Sequence, residues 1–372
     1  MSWWLLVVVA FLAYANGAND NFKGVATLFG SRTADYRKAL WWATGTTLAG
    51  SWAAALLSGG LVRTFSGKGL VPDVLTTQPA FLLAVGLGAA STVLMATATG
   101  LPISTTHAMT GALVGAGLVS AGTVHYTRLG QMVFLPLAIS PFVSFALTAL
   151  LYPTLRGLRV RLGVEREMCL CVDGGAVQPV ALQPNGSAVL RATGTVLTVG
   201  QLSQCVQRYH GRVFGIDCQW MLDRLHYISA GAVSFARGLN DTPKIVALLV
   251  AARGLGLSLS AGLAMVGAGM AIGGLLNARK VAMTMSERIT TMNHGQGFTA
   301  NLVTAVLVMF ASRWGLPVST THVSCGSLFG LGTVNQSAQW GVIRTIVLSW
   351  MVTLPLGALL AAGLYGTFQF LR

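Results

Sequence analysis

Residues 100–107 read GLPISTTH and residues 315–322 read GLPVSTTH, one conservative change in eight letters at a spacing of 215. Each copy carries three hydroxyls: Ser104, Thr105 and Thr106 in the first, Ser319, Thr320 and Thr321 in the second. Proline pushes the residue before it out of the helical region. A helix therefore starts just after each proline, with the serine at its N-cap and, in the first copy, a run over residues 105–118. A helix start presents unpaired N–H groups and the positive end of the dipole, which suits an anion, and hydroxyls add donors without adding charge. The same letters also fit ordinary capping and glycine-mediated packing. Two copies that agree so closely favour a shared ligand, one tetrahedral oxyanion held between two helix starts.

A second pair of motifs accompanies the first. GANDNFK at 17–23 matches GLNDTPK at 238–244, offset by 221. Asp20 and Asp241, two of only ten acidic residues in the chain, fall at one repeat position. They are read as ligands for the substrate or a coupling ion, with helix capping as the plainer role. His107 and His322 follow the threonine pairs directly and are read as proton or substrate contacts, or as packing. A Ser-His hydrolase does not fit, because neighbours along a helix do not face each other and no third orienting group stands nearby.

The elements that must position these residues are apolar. Of 372 residues 53% are hydrophobic and 9% charged, against roughly a quarter charged in soluble domains. The net charge of +14 comes largely from short basic gaps between apolar runs, eight of the 24 Lys and Arg lying in 156–224. That is the pattern of cytoplasmic loops and not of a nucleic-acid face. Stretches long enough to span a bilayer are 3–31, 39–62, 79–121, 130–155, 226–252, 255–276, 297–334 and 340–368. The N-terminal run lacks a basic leader and reads as a first span, not a cleaved signal. The five cysteines, Cys169, Cys171, Cys205, Cys218 and Cys325, match no zinc spacing and read as reduced thiols.

Two transmembrane halves, 1–155 and 226–372, thus flank a cytoplasmic insert at 156–225 whose alternating Val, Leu and Thr suggest a small β-rich domain. Basic residues at 32–38, 156–166 and 279–288 mark those loops as inside, which puts corresponding loops of the halves on opposite faces. The expected fold is an all-α polytopic membrane protein of two inverted repeats with re-entrant hairpins, both termini outside. Long first spans interrupted at NGANDN and RGLNDTPK predict helices broken at both places, and Pro243 strengthens the second break.

GAND at 17–20, GLND at 238–241 and the doubled GLP[IV]STTH resemble the PiT family of inorganic phosphate transporters. The resemblance implies a secondary transporter of the plasma (inner) membrane that imports phosphate by sodium or proton symport through alternating access, with no cofactor and no resident metal. Some relatives carry sulfate, and a second copy of the chain is an expected partner, as a homodimer. The resemblance assigns phosphate contact to Ser104, Thr105, Thr106, Ser319, Thr320 and Thr321, and ion ligation to Asn19, Asp20, Asn240 and Asp241. One departure stands out. Where the family pattern places a sodium-coordinating Asn, this chain has Lys23 and Lys244, two of its five lysines. Two Asp and two Lys sum to zero charge, so the lysines are read as replacing some or all of the sodium ions, with coupling to protons or a weak sodium dependence; the plainer reading is that each Lys pairs with its Asp to hold the break. An anion channel is the alternative from a different class, and it would need a continuous pore.

Overall fold

A computed structural model of the chain describes residues 2–371 apart from 58, 67–68, 122–123, 164, 167–170, 173–177, 183–187, 192–196, 199–208, 211, 214 and 252–257. It is built mostly of helices. The first half contains α1 (Ser2–Asp20), α2 (Ala26–Gly30), α3 (Tyr36–Leu57), α4 (Gly59–Phe65), α5 (Pro79–Thr99), α6 (Thr105–Ala121), α7 (Tyr126–Leu129) and α8 (Leu135–Arg161). The second contains α9 (Cys218–Ala251), α10 (Leu259–Asn277), α11 (Arg279–Met283), α12 (His294–Arg313), α13 (Thr320–Val334) and α14 (Trp340–Phe370). Among the described residues α5, α8, α10, α12 and α14 are long and apolar enough to cross a membrane. Two compact units result, Met1–Leu158 with Leu222–Arg372, and Arg159–Met221. The described part of the smaller unit consists of short antiparallel strand pairs, such as Gln178–Leu182 with Ala188–Arg191. Cys169 and Cys205 lie outside the described residues.

The doubled octapeptide is a helix stop followed by a helix start. Gly100 (φ 76) and Gly315 (φ 69) adopt the left-handed conformation after α5 and near the end of α12, which glycine enters without Cβ strain. Leu101 N then donates to Ala96 O at 3.0 Å, and Leu316 N to Ala311 O at 2.9 Å, the closing bond of a Schellman stop. Proline next prevents the helix from resuming. The chain runs extended to the serine, where α6 and α13 begin.

Of the two long first spans, the first is broken as expected, from Asn21 onward, and the second is not. α1 continues through NGAND to Asp20, and the break falls at 21–25. Asn16 donates to Asp20 one turn later, at 2.9 Å, so these polar side chains support the last turn instead of unwinding it. α9 does not break at all. It runs 34 residues with Pro243 inside. Proline removes a single N–H and costs about 3 kcal/mol in a helix interior. The ion pairs Arg237–Asp241 and Lys244–Asp241 brace the same turns, and the surrounding residues 236–249 are buried throughout.

Helix α6 of the first half packs on α14 of the second, and α13 of the second packs on α8 of the first. A Cβ on Gly111 or Gly115 would overlap the carbonyls of Leu354 or Ala358; one on Gly326 or Gly330 would overlap those of Pro141 or Phe145. Each hydroxyl-rich helix is therefore cradled by the last helix of the other half. Gly115→Val and Gly330→Val are each expected to destabilise the protein by about 1–3 kcal/mol through overpacking. Thermal unfolding in detergent checks this, and an unchanged midpoint would mean that the helices are not in backbone contact.

Candidate functional site

Ser104 and Ser319 hold the two helix starts. Each Oγ accepts the N–H of the histidine three residues on, His107 and His322, at 3.2 Å, satisfying one orphan donor of the first turn. Each hydroxyl caps its helix through an acceptor lone pair and keeps its own O–H donor. The threonines bond the charged side chains. Thr105 Oγ1 donates to Asp20 Oδ2 at 3.2 Å, and Thr320 Oγ1 to Asp241 Oδ2 at 3.3 Å. The first threonine of each pair therefore serves the carboxylate of its own half.

The second threonine serves the lysine of the other half. Lys23 Nζ lies 2.6 Å from Thr321 Oγ1, and Lys244 Nζ lies 3.0 Å from Thr106 Oγ1. Lys23 also donates to Asn19 Oδ1 and to the Ile103 carbonyl, both at 2.9 Å, and is paired with Asp20. Lys244 donates to the Val318 carbonyl at 2.7 Å and stands 3.4 Å from Asp241 Oδ1. Ile103 and Val318 occupy the same place in the two octapeptides, just before the capping serine. Thr321 in turn donates to the Ile103 carbonyl at 2.7 Å, which puts the two helix starts in direct contact.

Asn19 and Asn240 fasten the extended segments. Asn19 donates to Thr97 Oγ1 and Leu101 O and accepts from Ile103 N at 3.1 Å. Asn240 donates to Val318 O at 3.2 Å and accepts from Ser312 Oγ at 3.3 Å. His107 and His322 meet edge to face beside the network, 4.6 Å between ring centroids. His322 Nδ1 stands 3.2 Å from Leu137 O, and its ring lies 4.0 Å from that of Trp350. Trp350, from α14, donates to Pro102 O at 3.0 Å. Every expected site residue thus lies in this network, at its caps or against its edge.

The hydrogen bonds bear on the charges. Lys23 Nζ faces four oxygens and Lys244 Nζ three. Three of Lys23's oxygens only accept, those of Asn19, Asp20 and Ile103, which matches the three donors of an ammonium, whereas Lys244 faces two such oxygens, of Asp241 and Val318, and the Thr106 hydroxyl. Asp20 accepts from Asn16, Lys23 and Thr105, and Asp241 from Asn240, Lys244 and Thr320.

The sequence reading passed over Arg237, a fully buried residue at 1% exposure. Its Nη2 donates to Asn16 Oδ1 at 2.7 Å, its Nη1 to Asn21 Oδ1 at 3.0 Å and Thr47 Oγ1 at 3.2 Å, and its Nε stands 3.8 Å from Asp241 Oδ2. Asn16 sits at the matching repeat position. Carrying the motif alignment one residue upstream, to NGANDNFK against RGLNDTPK, exposes both residues. With Arg237 the neutral sum becomes three cations against two carboxylates, a surplus of one positive charge.

Removing Asp20 alone leaves a buried ammonium short of its carboxylate. Asp20→Asn is expected to lose about 3–5 kcal/mol of stability, and Asp20→Asn with Lys23→Met less. Thermal unfolding of the single and double variants decides it; equal losses would mean the pair is not coupled.

Residues 16–361 match the family described as Phosphate transporter family. The chain is 29% identical to inorganic phosphate transporter 2-1, chloroplastic, of Arabidopsis thaliana, over 97% of this chain and 71% of that protein. It is 28% identical to a protein of Rhizobium meliloti described as a probable low-affinity inorganic phosphate transporter, over 97% and 94%. A solved structure titled "The sodium-dependent phosphate transporter" superposes with a TM-score of 0.76 at 23% identity, covering 100% of this chain and 99% of that one, and so shares its fold.

Proposed function

From the premise that this chain belongs to the phosphate transporter family, we propose that it moves inorganic phosphate across the membrane by alternating access of two inverted repeats, with Lys23 and Lys244 standing in for co-transported sodium. The observation that carries the coupling part is the oxygen cage around each ammonium. Side-chain, carboxylate and main-chain oxygens that would suit a small cation instead surround Nζ. A tethered ammonium returns with the protein at the end of each cycle and transfers no energy from a sodium gradient. Coupling then falls to the proton.

The anion is proposed to sit where the starts of α6 and α13 meet. There the first-turn N–H groups, the threonine hydroxyls and the surplus charge converge, while Asp20 and Asp241 hold the cations in place. Phosphate is the proposed substrate, supported by the family and by the names of the relatives. Sulfate has the same shape but cannot donate a proton. The basic loops support a topology with both termini outside and the insert inside.

Uptake of labelled phosphate into proteoliposomes, with sodium and proton gradients imposed separately, tests this. An inward proton gradient is expected to drive accumulation and sodium to leave it unchanged, while Lys23→Asn with Lys244→Asn introduces sodium stimulation. Steep sodium stimulation of the wild type at fixed pH overturns the lysine reading. Flux without accumulation or counterflow points to a channel, and preferred uptake of sulfate overturns the substrate.

A further inference from the structure

The paired halves match at the charged, amide and octapeptide positions around the lysines, with a change of charge at one position of the alignment. Asn19 answers Asn240, Asp20 answers Asp241, Lys23 answers Lys244, and the two octapeptides answer each other. At the position just before these motifs the first half has the neutral Asn16 and the second the charged Arg237.

Asn16 tests what that position needs structurally. Its amide donates to Asp20 Oδ2 at 2.9 Å and to Thr105 Oγ1 at 3.0 Å, tying the end of α1 to the start of α6 without any charge. A neutral side chain is therefore sufficient to tie this turn to its surroundings. Burying an arginine here instead carries a desolvation penalty of several kcal/mol. Its return is a charge that cannot be removed, since guanidinium stays protonated, on a planar fork that suits oxyanions.

The donors on that fork are unevenly committed. Nη1 and Nη2 are bonded to Asn16, Asn21 and Thr47, all of the first half. Nε, on the edge toward Asp241, has no hydrogen-bond partner among the described residues, and Asp241 Oδ2 lies beyond bonding reach at 3.8 Å. An arriving oxyanion takes this N–H without displacing a hydrogen-bonded protein acceptor. The other cations of the network differ, each ammonium being ringed by oxygens.

We propose that Arg237 sets the anion affinity of this site, supplying the one positive charge that the carboxylates do not cancel and, through Nε, a buried donor for the substrate oxyanion. The inference rests on the anion lying at the α6 and α13 starts.

Two measurements on the full-length purified protein test it: protection against thermal unfolding by inorganic phosphate, which reads binding without transport, and the KM and maximal rate of uptake in proteoliposomes. R237Q is expected to need about tenfold more phosphate or more for the same protection, the loss of a charged hydrogen bond. Its KM rises by a similar factor, with a smaller change in the saturating rate. R237K, which keeps the charge and loses the fork, falls between R237Q and the wild type. Where R237Q fails to fold, R237K carries the test, with phosphate protection retained and an elevated KM expected. Unchanged phosphate dependence in R237Q overturns the inference, as does a fall in maximal rate at unchanged KM in R237K, the mark of a purely structural tie. Failure of phosphate to protect the wild type overturns the site reading and this inference with it; a protected wild type with an indifferent R237Q overturns this inference alone.

Discussion

An ammonium group in the middle of an apolar bundle is the constraint on which the rest of this structure depends. Desolvating a charge costs several kcal/mol even after relaxation, and only close, well-directed partners offset it. Lys23 finds them in its own carboxylate and amide neighbours, in the Ile103 carbonyl and in Thr321 of the opposite half. Lys244 repeats the arrangement with Asp241, Val318 and Thr106. Those partners come from four separate segments for the two lysines together. None is in place unless α1 breaks after Asp20, α5 and α12 stop at their glycines, and α6 and α13 restart beside one another.

The stop-and-restart octapeptide serves that constraint directly. An uninterrupted helix would bond its own carbonyls and leave none for a lysine. Ending the helix at Gly100 or Gly315 and forbidding its resumption with proline frees the carbonyl of Ile103 or Val318, and the serine cap lets a new helix begin at once. The small residues that follow bring backbones into contact. Because α6 rests on α14 and α13 on α8, the scaffold crosses between halves in the same sense as the lysine bonds. Trp350 adds a further crossing, from α14 to the Pro102 carbonyl.

Much of this was legible in the residues because the letters have local jobs. Glycine, proline, serine and threonine in that order spell a helix stop, an extended link and a capped start, and the structure has all three. Aspartate three residues before lysine spells an ion pair, on one helical face in α9 and across the break after α1 in the first half. What was not legible depends on partners distant in the chain. Nothing near Lys23 announces Thr321, 298 residues away. The expected break at RGLNDTPK did not form, because burial and ion pairing along α9 outweigh the one N–H that Pro243 lacks. At NGANDN the expected break does form, but only from its last residue, because Asn16 and Asp20 bond each other across a turn and carry α1 to Asp20. Arg237 was overlooked for a related reason: its significance lies in differing from Asn16, and a search for identity between repeats passes over the position where they diverge.

Symmetry and its breach together suggest how such a site can change state. The bonds from Lys23 to Thr321 and from Lys244 to Thr106 cross between halves, whereas Thr105 with Asp20 and Thr320 with Asp241 stay within one half. In the proposed cycle the halves reorient about each other, so the within-half bonds travel intact and the crossing bonds are the ones exchanged. Oxyanion atoms are stronger acceptors for an ammonium than a hydroxyl is. A bound anion can therefore take over the lysine bonds that the threonines release, keeping each buried cation partnered while the halves move. Arg237 also crosses, bonding Asn16, Asn21 and Thr47 of the first half from within the second, three crossing bonds where each lysine has one.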